Sequence, residues 1–291
     1  MSRNRSRTGV DTPTKHAEPP VNQLVGEETA QPFSFVVPTE FVELPSEGKL
    51  YPPGHPLHNV GEIEIKQMTA KEEDILTSKS LLKKGVAIER LIRSVIVDKT
   101  IDPGTLLIGD RNALLVACRV SGYGHVYKTK VNCPACYETQ NYEFDLNLAN
   151  IKTVLTPSGE NEEQYEIGNN GDGTFEVTLP QTGLSVSLRV LTGHDERRIS
   201  SLMEGDRKRK SEKVVTRQLS NIIVAVNGND TQEAISYVSS NLPSGDSKYL
   251  REVYKFIAPN LDLTQYFSCD NCGHEQDMEV PLNAEFFWPN A

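Results

Sequence analysis

The sequence has only one tryptophan, four methionines and five cysteines in 291 residues. It holds no run of about 18 apolar residues, so no membrane-spanning helix and no membrane partner are expected. The segment Met1-Ser2-Arg3-Asn4-Arg5-Ser6-Arg7 lacks an apolar core, so no secretory signal is expected. Positive charge is in the minority: 30 Lys and Arg face 40 Asp and Glu, giving a net charge of −10 and a pI near 5.2. A general nucleic-acid binder usually carries a basic face, so that partner class is disfavoured. Enzyme signatures are also missing, among them the P-loop, G-x-S-x-G, H-E-x-x-H and G-x-G-x-x-G. His55-Pro56-Leu57-His58 lies in a proline-rich loop with no acidic or cysteine partner at useful spacing. Nothing assembles a nucleophile, a base and an orienting group, so neither catalysis nor a small-molecule substrate is expected.

What is present starts with the cysteines. Four of the five stand in two C-x-x-C pairs, Cys133-Pro134-Ala135-Cys136 and Cys269-Asp270-Asn271-Cys272. Each pair is bracketed by strand-like sequence, and strand–knuckle–strand is half of a zinc ribbon. Zinc takes four ligands in a tetrahedron, and one knuckle supplies two thiolates. Two knuckles in one chain therefore point to a shared, structural four-cysteine zinc site with no open position for chemistry. The competing readings are four reduced cysteines at hairpin tips and a redox pair. Neither pair opens a helix in a thioredoxin-like setting, which disfavours redox. His274 is a candidate substitute ligand or a neighbour of the site. Cys118, in the apolar run Ala113–Cys118, reads as a buried, inert thiol.

The knuckles also mark an internal repeat. A shift of 136 positions places Gly109-Asp110 on Gly245-Asp246, Cys133 on Cys269, Cys136 on Cys272, Glu143 on Glu279 and Leu146-Asn147 on Leu282-Asn283. A smaller shift matches Ile63–Thr69 with Val186–Thr192, and Arg90–Val97 with Arg217–Val224. The expected fold is α+β: a duplication of two small units, each ending in a zinc-ribbon-like knuckle. A pseudo-twofold axis would bring the knuckles together.

Composition sets the boundaries. Residues 1–36 are rich in Arg, Ser, Thr, Pro, Glu and Gln and read as a disordered tail. Residues 37–150 form the first repeat, 151–174 a polar Gly/Asn-rich linker or loop, and 175–291 the second repeat. Strands are expected over Glu62–Met68 and Leu184–Val190. Thr69 with Glu72 is a capping-box signature, and Thr192 with Asp195 repeats it. Asp110 and Asp246 are expected to cap the two helices that precede the knuckles. Val86, Leu91, Ile92, Val95 and Ile96 recur at helical spacing, as do Leu219, Ile222, Ile223 and Val226; both sets read as core. Arg207-Lys208-Arg209-Lys210 reads as an exposed helix face, while Phe286-Phe287-Trp288 either packs on the domain or docks elsewhere.

One further pattern runs through the first half. Glu43-Leu44-Pro45-Ser46-Glu47-Gly48, Tyr51-Pro52, His55-Pro56-Leu57, Glu64–Leu76 and Leu106–Ala113 occur in order. Together they resemble the baseplate hub protein family of T4-like contractile-tailed phages. The resemblance covers residues 41–150 well and extends weakly into the second copy. It implies a hub subunit or a hub assembly protein, with other hub or tail proteins, or the chain itself, as partners. The implied location is the virion tail baseplate, and the host cytoplasm during assembly. The family brings no catalytic residues. Two alternatives stand beside a resident hub subunit: an assembly chaperone absent from the mature virion, and a zinc-ribbon nucleic-acid or transcription-associated factor.

Overall fold

The computed structural model describes residues 36–152, 165–208, 213–282 and 286–287. The expected tail (except Val36), residues 153–164 of the expected linker, Arg209-Lys210 of the basic run, and Trp288 lie outside these. The side chains of Arg207 and Lys208 do too.

The chain is α+β, with short helices between small antiparallel sheets. Strands β1 (Thr39–Glu43) and β2 (Glu62–Lys66) pair, with Thr39 opposite Lys66 and Glu43 opposite Glu62. Val42, Ile63 and Ile65 alternate inward along them, as a half-buried sheet requires. Helices α1 (Ala70–Thr77), α2 (Lys79–Lys83) and α3 (Ala87–Val95) follow, and Ile96 then bridges back to Ile65. Helix α4 (Ile108–Tyr123) leads into the hairpin β3 (Val126–Asn132) and β4 (Thr139–Asp145). The expected linker carries structure where it is described. Strand β5 (Asn150–Lys152) pairs with β10 (Asn260–Asp262), and β6 (Ile167–Asn169) edges a four-stranded sheet. That sheet continues through β7 (Thr174–Thr178), β8 (Ser185–Arg189) and β9 (Ile223–Val226). Helices α5 (Gly193–Lys208) and α6 (Val214–Ile222) lie between β8 and β9. Helices α7 (Gln232–Asn241) and α8 (Ser244–Ile257) precede β10, and the hairpin β11 (Thr264–Ser268) and β12 (Glu275–Glu279) comes after it.

The residues at helical spacing are core, but the helices are shorter than the spacing implies: α3 ends at Val95, and α6 ends at Ile222, so Ile223 and Val226 belong to strand β9. Leu91, Ile92, Val95 and Ile96 are buried, as are Leu219, Ile222, Ile223 and Val226; Val86 is half-buried. Phe286 and Phe287 pack on the domain, Phe286 edge-on to Tyr127 at 5.2 Å. Buried Arg119 holds them there. Its guanidinium donates to the carbonyls of Phe286 (2.7 Å), Gly124 (2.6 Å) and Val126 (3.1 Å), so a charge taken out of water keeps three acceptors.

Four buried carboxylates pin the loops. Glu72 accepts from the Thr69 N–H and hydroxyl, closing the capping box on α1, and also from Lys66 and Ser94. Asp195 accepts from Thr192 N–H and from both arms of Arg189, at 2.7 and 2.8 Å. Asp110 and Asp246 do not cap their helices. The helix starts lie earlier, at Ile108 and Ser244, so each carboxylate sits within the first turn and reaches sideways. Asp110 receives Ser46 N–H (2.9 Å), Ser46 hydroxyl (2.6 Å) and Tyr51 hydroxyl (2.7 Å). Asp246 receives the N–H groups of Gln181 and Thr182. A loop otherwise left with unpaired buried donors is satisfied in each case.

The stretch before α4 runs against the start of α5. Ile108 N–H donates to Leu191 carbonyl (3.1 Å), and Gly193 N–H to Leu106 carbonyl (2.9 Å). Gly109 allows α4 to approach β10: a Cβ there would lie 1.9 Å from the Pro259 carbonyl oxygen.

Two outcomes follow. Gly109→Ala must push rigid backbone aside, and is expected to destabilise the protein by about 1–3 kcal/mol, read as a lower urea midpoint at unchanged slope. The second concerns acid. Burial would raise the carboxyls of Glu72 and Asp195, yet their donors outweigh it: Ser94, Thr69 and Lys66 hold Glu72 at about 2, and Arg189 with Thr192 hold Asp195 at about 2. Both values lie below the unfolded ones of about 4.3 and 3.9. Their stabilisation, roughly 3 kcal/mol each, is therefore complete above about pH 4.5 and lost as pH falls toward 2. Glu72→Gln and Asp195→Asn are expected to lower stability at pH 7 and to flatten its fall between pH 4.5 and 2, measured by denaturant unfolding at each pH.

Candidate metal centre

Both C-x-x-C pairs sit at the tips of hairpins, β3–β4 and β11–β12. The strands explain the tips. In β3, Tyr127, Thr129 and Val131 face inward and alternate with exposed residues, so the hairpin is anchored on one face and its turn projects. Phe144 in β4 and Phe267 in β11 anchor the same way.

The two hairpins lie side by side, joined through side chains. The Gln140 amide donates to Ser268 carbonyl (3.0 Å) and accepts from Asp270 N–H (3.0 Å). From the other hairpin, the Gln265 amide donates to Asp145 carbonyl (2.8 Å) and accepts from Asp145 N–H (3.1 Å). Tyr142 hydroxyl donates to Tyr266 carbonyl at 2.8 Å. Each glutamine thus acts as an extra peptide group between β4 and β11.

This arrangement brings together the four cysteines singled out by spacing. Cys133 Sγ lies 3.7 Å from Cys272 Sγ, and Cys136 Sγ lies 3.7 Å from Cys269 Sγ. All four sulphurs fall within 4.8 Å of one another, and none forms a disulfide. Four cysteines at this range can hold a metal ion. Cys133 and Cys269 are buried, Cys136 is half-buried and Cys272 is exposed.

The cluster loses its first proton readily and holds its last. Glu138 N–H and the Asn271 side-chain amide draw the Cys136 thiol down to about 6. For Cys272 the His274 backbone N–H pulls down, but desolvation and the sulphurs of Cys136, Cys269 and Cys133 lift it to about 12. A negative charge on one sulphur opposes a second on its neighbour, and a cation among them removes that opposition.

His274 is not part of the cluster. Its ring sits 3.3 Å from Gln276 Oε1, and its carbonyl accepts from Cys269 N–H. Cys118 stands apart, buried, its thiol pushed up to about 12 chiefly by desolvation. His55 stacks on Tyr51 at 4.4 Å and meets Thr105 Oγ1 at 2.9 Å, while His58 binds Tyr51 carbonyl. Both histidines therefore shape their own loop. The residues that sequence reasoning left without a role are Gln140, Gln265 and Tyr142. Their signal was weak: polar side chains at alternating positions of strands flanking each knuckle.

In chelator-treated protein at pH 7, iodoacetamide is expected to modify Cys136 first and Cys118 only on unfolding. The Cys136 rate should fall as pH drops through about 6, which peptide mapping by mass spectrometry checks.

Comparison with known proteins adds a family to this geometry. No curated protein matches the chain, and no solved structure does. The family described as T4 bacteriophage base plate protein matches residues 37–288, which takes in both hairpins and all four clustered cysteines. The chain belongs to the T4 bacteriophage base plate protein family.

Proposed function

We propose that the chain is a non-enzymatic structural or assembly protein of the baseplate hub, stabilised by one structural zinc. Its ligands are Cys133, Cys136, Cys269 and Cys272. The observation that carries this reading is the meeting of four sulphurs from hairpins far apart in sequence, in a chain of a baseplate family. A Zn–S bond of about 2.3 Å makes the sulphur–sulphur edge of a tetrahedron roughly 3.8 Å. Two of the sulphur pairs, Cys133–Cys272 and Cys136–Cys269, lie at 3.7 Å. An all-sulphur tetrahedral set selects zinc or an iron–sulphur centre. With four protein ligands no coordination position is left for a substrate, so the ion contributes folding energy rather than turnover.

The same reading includes an internal duplication, residues 37–150 and 175–291. Several pairs of contacts support it. Ile65 bridges Ile96 as Leu188 pairs with Ile223. Asp110 holds the loop at Ser46 as Asp246 holds the loop at Gln181. Glu72 serves Thr69 as Asp195 serves Thr192. The zinc would then clamp the two copies at their equivalent points. Partners are other hub or tail proteins, met in the host cytoplasm during assembly and at the virion tail baseplate thereafter.

Metal analysis by mass spectrometry on native protein is expected to find one zinc and no iron per chain, with four thiols released on chelation. Cys136→Ser should lose the zinc and melt roughly 5 °C lower, the shift that about 3 kcal/mol produces in a chain of this size. Two metals per chain, or an unchanged melting temperature, would refute the shared clamp. Mass spectrometry of purified virions separates a resident hub subunit, which is present, from an assembly chaperone, which is absent.

A further inference from the structure

Outside the cysteine cluster, two of the helices that follow β2 turn charge outward along one side. Lys71 and Ile75 stand four residues apart on α1, so they share a face. On α3, Arg90, Arg93 and Ser94 are three and four residues apart, beside the buried stripe of Leu91, Ile92 and Val95. These faces look onto one open groove of about 1180 Å³. Its other walls include Thr39 and Lys66, paired across the ends of β1 and β2, and Arg197 from α5. Six cations line it, Lys66, Lys71, Arg90, Arg93, Lys99 and Arg197, against the single carboxylate of Glu89. In a chain of net charge −10, this is a local reversal of sign.

Most of that charge is already answered. Lys66 donates to the buried Glu72 at 2.9 Å, Arg93 pairs with Asp102, and Arg197 pairs with Glu89. Lys99 donates to carbonyls in the last turn of α3, those of Arg93 (3.0 Å) and Ser94 (3.2 Å), and to that of Ile96. Lys71 and Arg90 are left over. Both are exposed, and neither side chain makes a hydrogen bond or an ion pair among the described residues. Crowding shows at Lys99, whose ammonium is pushed below its ordinary value by desolvation first and then by the charges of Lys66 and Lys71. An anion entering the groove relieves that repulsion. Between the cations the surface is aliphatic: Ile75 and Val86 are half-buried, and Val97 is 42% exposed.

We propose that this groove binds an acidic, aliphatic peptide segment of another protein. The segment's carboxylates meet Lys71 and Arg90, and its Leu, Ile or Val side chains lie on Ile75, Val86 and Val97. Charge complementarity selects the sign, and the chemistry of the walls selects the class. A single strand of nucleic acid would need rings to stack on, and no aromatic residue lines the groove among the described residues. A duplex would need a broad basic face, and a chain at −10 repels it. The groove is open and exceeds the roughly 300–1,000 Å³ of a small-molecule pocket, which suits a length of chain. Two copies of this chain, both at −10, repel at long range, whereas a short segment brings its negative charge only to the groove. The inference stands apart from the zinc and hub reading.

The test is retention of short synthetic peptides on the immobilised full chain. A pool built from Glu, Asp, Leu, Ile and Val is expected to be held at low salt and released at high salt, while a pool with Ser in place of the acids passes through. Lys71→Glu combined with Arg90→Glu should weaken retention of the acidic pool roughly tenfold or more. The melting temperature should stay the same, because neither side chain has a partner to lose. Lys71→Gln combined with Arg90→Gln, which removes the charges without reversing them, should fall between. Failure of the acidic pool to bind would overturn the proposal. So would equal retention by the unaltered and charge-reversed chains, or equal retention of the serine pool. A DNA oligonucleotide that outcompetes the acidic pool would assign the groove to nucleic acid, and a dimer in sedimentation that charge reversal dissociates would assign it to a second copy. Either result equally overturns it.

Discussion

Closure at the cysteine cluster constrains the rest of the structure. Cys136 and Cys269 are 133 residues apart in the chain and 3.7 Å apart in space. Bringing such distant points together costs loop entropy that no local contact returns. The fold meets that cost in two places. Side-chain amides of Gln140 and Gln265 stitch β4 to β11. Farther down, β5 pairs with β10, and the segment at Leu106–Ile108 pairs with Leu191–Gly193. The proposed zinc acts at the end of this seam, where four thiols left alone would resist being charged together.

Buried carboxylates set the geometry beneath the hairpins. Glu72, Asp110, Asp195 and Asp246 are all removed from solvent, and each receives hydrogen bonds from a loop or a helix start. Burying a carboxylate is unfavourable unless its oxygens are served. Each of these is served by backbone N–H groups that would otherwise go unpaired, so carboxylate and loop satisfy one another. That reciprocity lets long irregular stretches such as Leu44–Val60 hold a fixed shape. The same stretches place α4 and α8, and those helices place the hairpins.

A protein built this way presents fixed surfaces. The cluster offers no open coordination position when four sulphurs hold one ion, and His55, His58 and His274 are engaged with Thr105, the Tyr51 carbonyl and Gln276.

The sequence alone determined the elements whose signals are local. The helical spacing of Leu91, Ile92 and Val95 and of Leu219 and Ile222 named the core faces, and Thr69 with Glu72 named a helix start. The strand–C-x-x-C–strand pattern named the four cysteines. These signals are legible because period, cap and knuckle are set by neighbours a few residues away. Tertiary structure decided the rest. Asp110 and Asp246 look like caps in the sequence, but their helices begin earlier, and only packing shows that they reach across to Ser46 and Gln181. Residues that read as linker supply β5 and β6, because their pairing partners lie in distant or later strands. The glutamines joining β4 to β11 carry only a weak sequence signal, since a polar side chain on a strand is ordinary until another hairpin is laid beside it. Phe286 and Phe287 were legible as anchors of some kind, and the carbonyl that Arg119 grips decided that they pack inward. In each case the deciding partner is remote in the chain, and a single sequence does not record which remote groups will meet.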